Sequence, residues 1–182
     1  MRLPQPVPEP EGAEERLALP NVPLPPGVEI VLGSEVVAAT RDRRRRGTLV
    51  NVWATWCGSC EPEMPMLAAI QRRYAARGIE LMVVSVDDPA QAETVLRVQH
   101  DRGIPGMVRI AHPELGDFKR ALSPIWKGAL PATFLFDSKG QLRYFWGAQA
   151  FEREIVPVLD GLLAGEPIDG LANFQVQGGP RP

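Results

Sequence analysis

Cysteine is scarce in this chain: two in 182 residues, Cys57 and Cys60. A disulfide-stapled secreted scaffold spreads its cysteines to close long loops, so that class is excluded. A structural zinc site needs four ligands. There is no second Cys-x-x-Cys, and the two histidines, His100 and His112, lie far off in sequence. An excess of either charge is also missing. With 20 Lys and Arg against 22 Asp and Glu, the net charge is −2, and nothing in that balance points to a nucleic acid. Long hydrophobic runs are lacking too, and no stretch approaches the ~20 apolar residues of a membrane span. The chain opens Met1-Arg2-Leu3-Pro4 without the apolar run of a signal peptide. Two localisations remain: a cytoplasmic protein, or an extracytoplasmic one whose export segment is not part of this chain.

Proline, by contrast, is plentiful, and eight of the 19 fall between Pro4 and Pro26. That composition reads as an extended arm over residues 1–18. Residues 19–173 are expected to form one α/β domain, since 45% apolar residues suffice for a core. Residues 174–182 lack periodicity and read as a tail.

Within the domain, Val28–Val31 and Glu35–Ala38 flank Leu32-Gly33-Ser34, a turn signal that predicts an N-terminal β-hairpin. The run Arg41–Arg46 reads as a solvated loop in preference to a lipid-binding patch. Thr48–Trp53 is a compact apolar run, expected as a buried central strand. A helix is predicted over roughly Ser59–Arg77, a strand over Ile79–Val86, and a helix over Ala90–Arg102. A short strand over Gly106–Ala111 and a short helix over Glu114–Leu122 follow. Ala132–Phe136 and Gln141–Trp146 form a hairpin around Asp137-Ser138-Lys139-Gly140. In the final helix Pro157 marks either a late start or a kink. Strands alternating with helices imply a parallel sheet, made mixed by the closing hairpin.

The two cysteines carry the chemistry. A strand running into a helix puts Cys57 near a helix N-terminus, where unpaired amides and the helix dipole favour a thiolate. Cys60 lies about one turn on, close enough to close a disulfide. Cys57 is therefore expected to attack a substrate disulfide, and Cys60 to resolve the mixed disulfide. Trp53 is expected in the core, Trp146 packed on the sheet, and Trp56 beside Cys57, shielding the disulfide.

The segment Asn51-Val52-Trp53-Ala54-Thr55-Trp56-Cys57-Gly58-Ser59-Cys60-Glu61-Pro62-Glu63-Met64-Pro65 resembles the active-site segment of thioredoxins, most of all the TlpA/ResA branch of bacterial thiol–disulfide oxidoreductases. The resemblance covers most of residues 28–164. It implies a thioredoxin-like fold, a mixed central sheet flanked by helices, with a βα insertion over roughly Gly106–Leu122 ahead of a cis-proline. Pro131 in Leu130-Pro131-Ala132-Thr133 matches that cis-proline. Substrate contacts are implied at Trp56, Gly58, Ser59, Leu130 and Pro131. Glu63 matches the branch's acidic residue: it is placed to accept the Cys60 proton, and its charge would raise thiol pKa values and make the couple more reducing. Asn51 replaces the buried aspartate of cytosolic thioredoxins, as is common in this branch.

The resemblance also implies protein disulfides as substrates, cytochrome c maturation among the settings, and a membrane or thioredoxin-type electron donor upstream. It further implies an extracytoplasmic monomer with a tether outside this chain, and no cofactor or metal beyond the redox-active disulfide itself. Three rivals stand beside it, one of them an oxidase or isomerase in place of a reductase, which Gly58-Ser59 between the cysteines does not decide. Cys57, Cys60, Met64 and Met66 are soft ligands that suit Cu(I). Asn51-Val52-Trp53-Ala54 also resembles glutathione peroxidases, which do not use a Cys-x-x-Cys at this position.

Overall fold

The computed structural model describes residues 21–168 apart from Pro105. The expected arm over 1–18 and tail over 174–182 lie outside the described residues, as do the two ends of the expected 19–173 domain.

Six strands form one sheet in the order β1-β4-β3-β2-β5-β6. They are β1 (Val28–Val31), β2 (Gly47–Trp53), β3 (Ile79–Ser85), β4 (Val108–Ala111), β5 (Ala132–Asp137) and β6 (Leu142–Trp146). The first four run parallel, while β5 is antiparallel to both β2 and β6, as alternation followed by a hairpin predicts. The helices are α1 (Gly33–Ala39), α2 (Glu63–Tyr74), α3 (Ala92–Asp101), α4 (Leu115–Leu122) and α5 (Glu152–Ala164).

Every residue of β2 is buried, so this strand is the spine of the domain. Its alternation splits the core into two faces. Val50 and Val52 pack with Phe134, Phe136 and Phe145 under α1 and α4. Leu49 and Trp53 point to the other face, which α2, α3 and α5 cover through Leu67, Ile70, Val95, Ile155 and Leu159. Each fully buried aliphatic side chain is worth roughly 1.5–3 kcal/mol, so these two layers dominate stability. Trp126, left unassigned by the sequence, packs edge-on against Phe118 and Phe134 in the first layer.

The predicted N-terminal hairpin is not there. Residues 33–39 are helix α1, and β1 pairs in parallel with β4. Gly33 looked like a turn residue, but it serves a close approach between helices: a Cβ there would meet the Phe118 carbonyl oxygen at 2.6 Å. Glu35 reaches back to accept the Leu32 amide at 2.7 Å, capping the helix start. Pro157 sits inside α5, which begins at Glu152, so the late start is ruled out. Gly78, at φ 87°, takes the left-handed conformation that ends the α2 segment.

The arginine run is a paired surface loop. Arg44 bonds Asp42 through two guanidinium nitrogens, Arg45 pairs with Asp42 and Glu80, and Arg46 donates to the Leu163 carbonyl. It precedes β2, and so lies at the end of the sheet opposite to Cys57.

Candidate active site

β2 ends at Trp53, and the chain then descends through three successive turns. The Cys57 amide donates to the Ala54 carbonyl at 3.1 Å, Cys60 to Cys57 at 3.0 Å, and Glu63 to Cys60 at 3.2 Å. Helix α2 starts only at Glu63, not at Ser59 as predicted. Pro62 explains the delay: a helix begun at Ser59 would need its amide, which proline lacks. Pro65 is harmless because it falls in the first turn of the later helix, where amides have no helical partner. Cys57 thus sits ahead of the helix and not at its first residue, and the dipole acts on it from further off than the sequence implied.

Cys57 and Cys60 are joined as a disulfide, with Cα atoms 5.3 Å apart. Cys57 is 7% exposed and Cys60 1%, so an incoming sulfur reaches Cys57 first. Ser59 Oγ lies 3.5 Å from the Cys57 sulfur, and Gly58 beside it is exposed. Trp56 does not shield the pair as expected. It is 70% exposed, which leaves it little area to lay over the disulfide. Trp53 is fully buried, as expected.

The Leu130–Pro131 peptide is cis, and Leu130 packs against the cluster that holds both cysteines. Thr133, two residues into β5 beyond this bond, pairs across the sheet with Asn51. Asn51 Nδ2 donates to Thr133 Oγ1 at 3.0 Å, and Thr133 Oγ1 is directed at Glu63 Oε1, 3.5 Å away. The Ala150 amide completes the group, donating to the same Oε1 at 3.1 Å. Glu63 Oε2 is buried with no hydrogen-bond partner among the described residues.

Glu63 itself is only 2% exposed. Burial pushes its pKa up to about 7, against the opposing pull of the Ala150 amide and the Asn51 and Thr133 side chains. A carboxyl poised there exchanges a proton near neutral pH, as a general acid or base must.

Sequence reasoning found Glu63 and Asn51 but passed over Thr133, Ala150 and the buried Asp87, which accepts hydrogen bonds from Thr55. Thr133 was in reach, standing two residues after the matched proline. Ala150 contributes only its backbone, and no residue type marks that.

The soft-metal alternative loses its fourth ligand. Met64 packs in the cluster containing both cysteines, whereas Met66 packs against another one with Leu49 and Ile70. The four sulfurs therefore do not converge. Among the described residues no group of three or more His, Cys, Asp or Glu is arranged to hold a metal, and no helix is long and apolar enough to cross a membrane.

A mixed sheet in this order, with a disulfide after the central strand and a cis-proline heading the next, is a thioredoxin-like fold. A thioredoxin-family thiol:disulfide interchange protein from Chlorobium tepidum superposes with a TM-score of 0.56 at 24% identity, over 66% of this chain and 81% of that one. The Redoxin family model matches residues 22–150, and the chain belongs to that family. It is 30% identical over 102 residues to the thiol-disulfide oxidoreductase ResA of Geobacillus thermodenitrificans, which is 56% of this chain and 55% of that protein. It is 26% identical over 133 residues to ResA of Oceanobacillus iheyensis, or 72% and 58% of the two chains. These relatives agree with the TlpA/ResA resemblance of the motif. The matched stretch is little more than half the length of the curated relatives.

Proposed function

We propose that this protein is a thiol–disulfide oxidoreductase that reduces disulfides of extracytoplasmic proteins, with cytochrome c maturation as one setting. The observation that carries the reading is a closed Cys57–Cys60 disulfide whose following turn delivers a buried carboxyl, Glu63, with a pKa of about 7. The names of the ResA relatives support the same activity.

An external dithiol first reduces the Cys57–Cys60 bond, supplying two electrons and two protons. The Cys57 thiolate then attacks one sulfur of a substrate disulfide. The substrate S–S bond breaks, a mixed disulfide forms, and the first substrate sulfur leaves and takes a proton. Glu63 accepts the Cys60 proton, and the Cys60 thiolate attacks the Cys57 sulfur. The second substrate thiol leaves, and the Cys57–Cys60 disulfide is restored. Trp56, Gly58, Ser59, Leu130 and Pro131 line the approach to Cys57 in this scheme. A negative charge at Glu63 disfavours thiolates beside it, and so biases the couple toward donating electrons.

Two assays test the reading together. Insulin reduction driven by dithiothreitol should be accelerated by the wild-type protein. Equilibration with a glutathione buffer should leave the disulfide largely closed. A protein without effect on insulin, or one that glutathione readily reduces, contradicts the proposal.

A further inference from the structure

A second buried carboxylate faces the dithiol segment, and the scheme above makes no use of it. Asp87 lies two residues past the end of β3 and is 5% exposed. Its Oδ1 accepts the Thr55 hydroxyl at 2.6 Å, and its Oδ2 accepts the Thr55 amide at 2.9 Å and the Ser85 hydroxyl at 2.5 Å. Its own amide donates back to Ser85 Oγ at 2.9 Å. The neighbouring Val86 amide donates to the Trp53 carbonyl at 2.9 Å, tying the same loop to the end of β2.

These bonds converge on the turn from Ala54 to Cys57. Ala54 has no polar side chain to hold the turn, and Trp56 stands out in solvent. Thr55 is the anchor, and Asp87 holds it by both its backbone and its side chain. No cation is paired with Asp87 among the described residues. A hydroxyl or amide acceptor would pin a loop without burying a charge that has hydrogen bonds but no cation beside it, which is costly. Its use here points to the charge as well as the bonds.

We propose that Asp87 is the positioning residue for Cys57: through Thr55 it fixes the turn that presents this sulfur, and its carboxylate disfavours the Cys57 thiolate. This rests on Cys57 being the attacking cysteine. Disfavouring the thiolate disfavours the reduced state, so Asp87 acts in the same sense as Glu63 but on the other sulfur. The other ionisable groups around the segment are Glu63, the Glu61–Arg102 ion pair and Asp88, which accepts the Ala90 amide, and neither substitution removes any of them.

The test reads the Cys57 thiol directly. In a full-length Cys60→Ser background, iodoacetamide alkylation is followed against pH for the parent, Asp87→Asn, Thr55→Val and Thr55→Ser, with thermal melts to confirm folding. Asp87→Asn removes the charge, so its profile should move about one pH unit to the acid side, a roughly tenfold faster reaction below the thiol pKa. Thr55→Val keeps the charge but removes the hydroxyl that offsets it, so a smaller shift to the alkaline side is expected. Thr55→Ser should superimpose on the parent. A purely structural clamp would move both disruptive variants the same way or not at all, and either result overturns the proposal. If Asp87→Asn does not fold, Thr55→Val decides, because it keeps the amide bond to Asp87; an unshifted or acid-shifted profile overturns it. Insulin reduction by the wild type is scored separately, so failure of the proposed function is distinguishable from failure of this role.

Discussion

The two ends of β2 treat acidic side chains in opposite ways. At the Gly47 end, Asp42 is bonded by Arg44, whose guanidinium holds its carboxyl down at about 2, and Glu80 pairs with Arg45. At the Trp53 end, Glu63 and Asp87 are buried without a cation, and burial pushes Glu63 up to about 7. Paired acids on a wet surface add little to stability and are easily replaced. A buried acid without a cation beside it lowers stability, and the raised pKa of Glu63 marks one whose protonation has work to do. The contrast separates the end that carries chemistry from the end that carries solvation.

The cysteines separate the two ends most strongly. Cys57→Ser should drop insulin reduction to the uncatalysed rate, whereas Arg44→Ala at the other end should leave it unchanged. Equal loss in both variants would dissolve the distinction.

Glu63 gives the next largest effect, on stability against pH. Its folded pKa of about 7 lies above the ordinary glutamate value of 4.5, so the folded state holds a proton that the unfolded state has lost across that window. Stability therefore falls as pH rises from 4.5 to 7, by roughly 3 kcal/mol for an isolated group. Urea unfolding at several pH values should show this decline in the wild type and a flat profile in Glu63→Gln. An equal decline in both would remove Glu63 from the account.

Thr133→Val tests the support around that carboxyl. It removes one donor to Glu63 and leaves the buried Asn51 amide without its acceptor, which should cost about 1–3 kcal/mol by urea unfolding. It should also move the Glu63-dependent pH window upward. A neutral substitution would mean that the Asn51–Thr133–Glu63 chain is incidental.

Smaller still is the effect expected at Trp56. With its ring mostly in solvent, Trp56→Ala should leave the melting temperature within about 2 °C while raising the KM for a peptide disulfide. A lost fold or an unchanged KM would return Trp56 to a packing role. At the far end, Arg44→Ala should leave the melting temperature unchanged at physiological salt, since Arg44 and Asp42 form an exposed pair.

Much of this was legible in the chain itself. Compact apolar runs and turn signals placed the strands of the described residues, and the Cys-x-x-Cys motif located the disulfide. The failures have physical causes. Gly33-Ser34 looked like a turn because sequence does not show which helix must come close. Helix α2 reads as starting early because Pro62 belongs to the motif, and the amide it lacks shows only once a helical hydrogen bond is required of it. The Glu63 environment stayed hidden because its partners, Thr133 and Ala150, lie 70 and 87 residues away and meet it only once the sheet is assembled. The Asp87 clamp was missed because Asp87-Asp88-Pro89 reads equally well as an ordinary strand end.

Turnover in this scheme rests on Cys57 attacking and Cys60 resolving. The most direct measurement is the intact mass of each single-cysteine variant after incubation with a peptide disulfide. Cys60→Ser should accumulate a stable mixed disulfide on Cys57, and Cys57→Ser, with only its buried cysteine left, should remain essentially unmodified. Equal adducts on both variants, or an adduct on Cys57→Ser alone, would contradict the assignment.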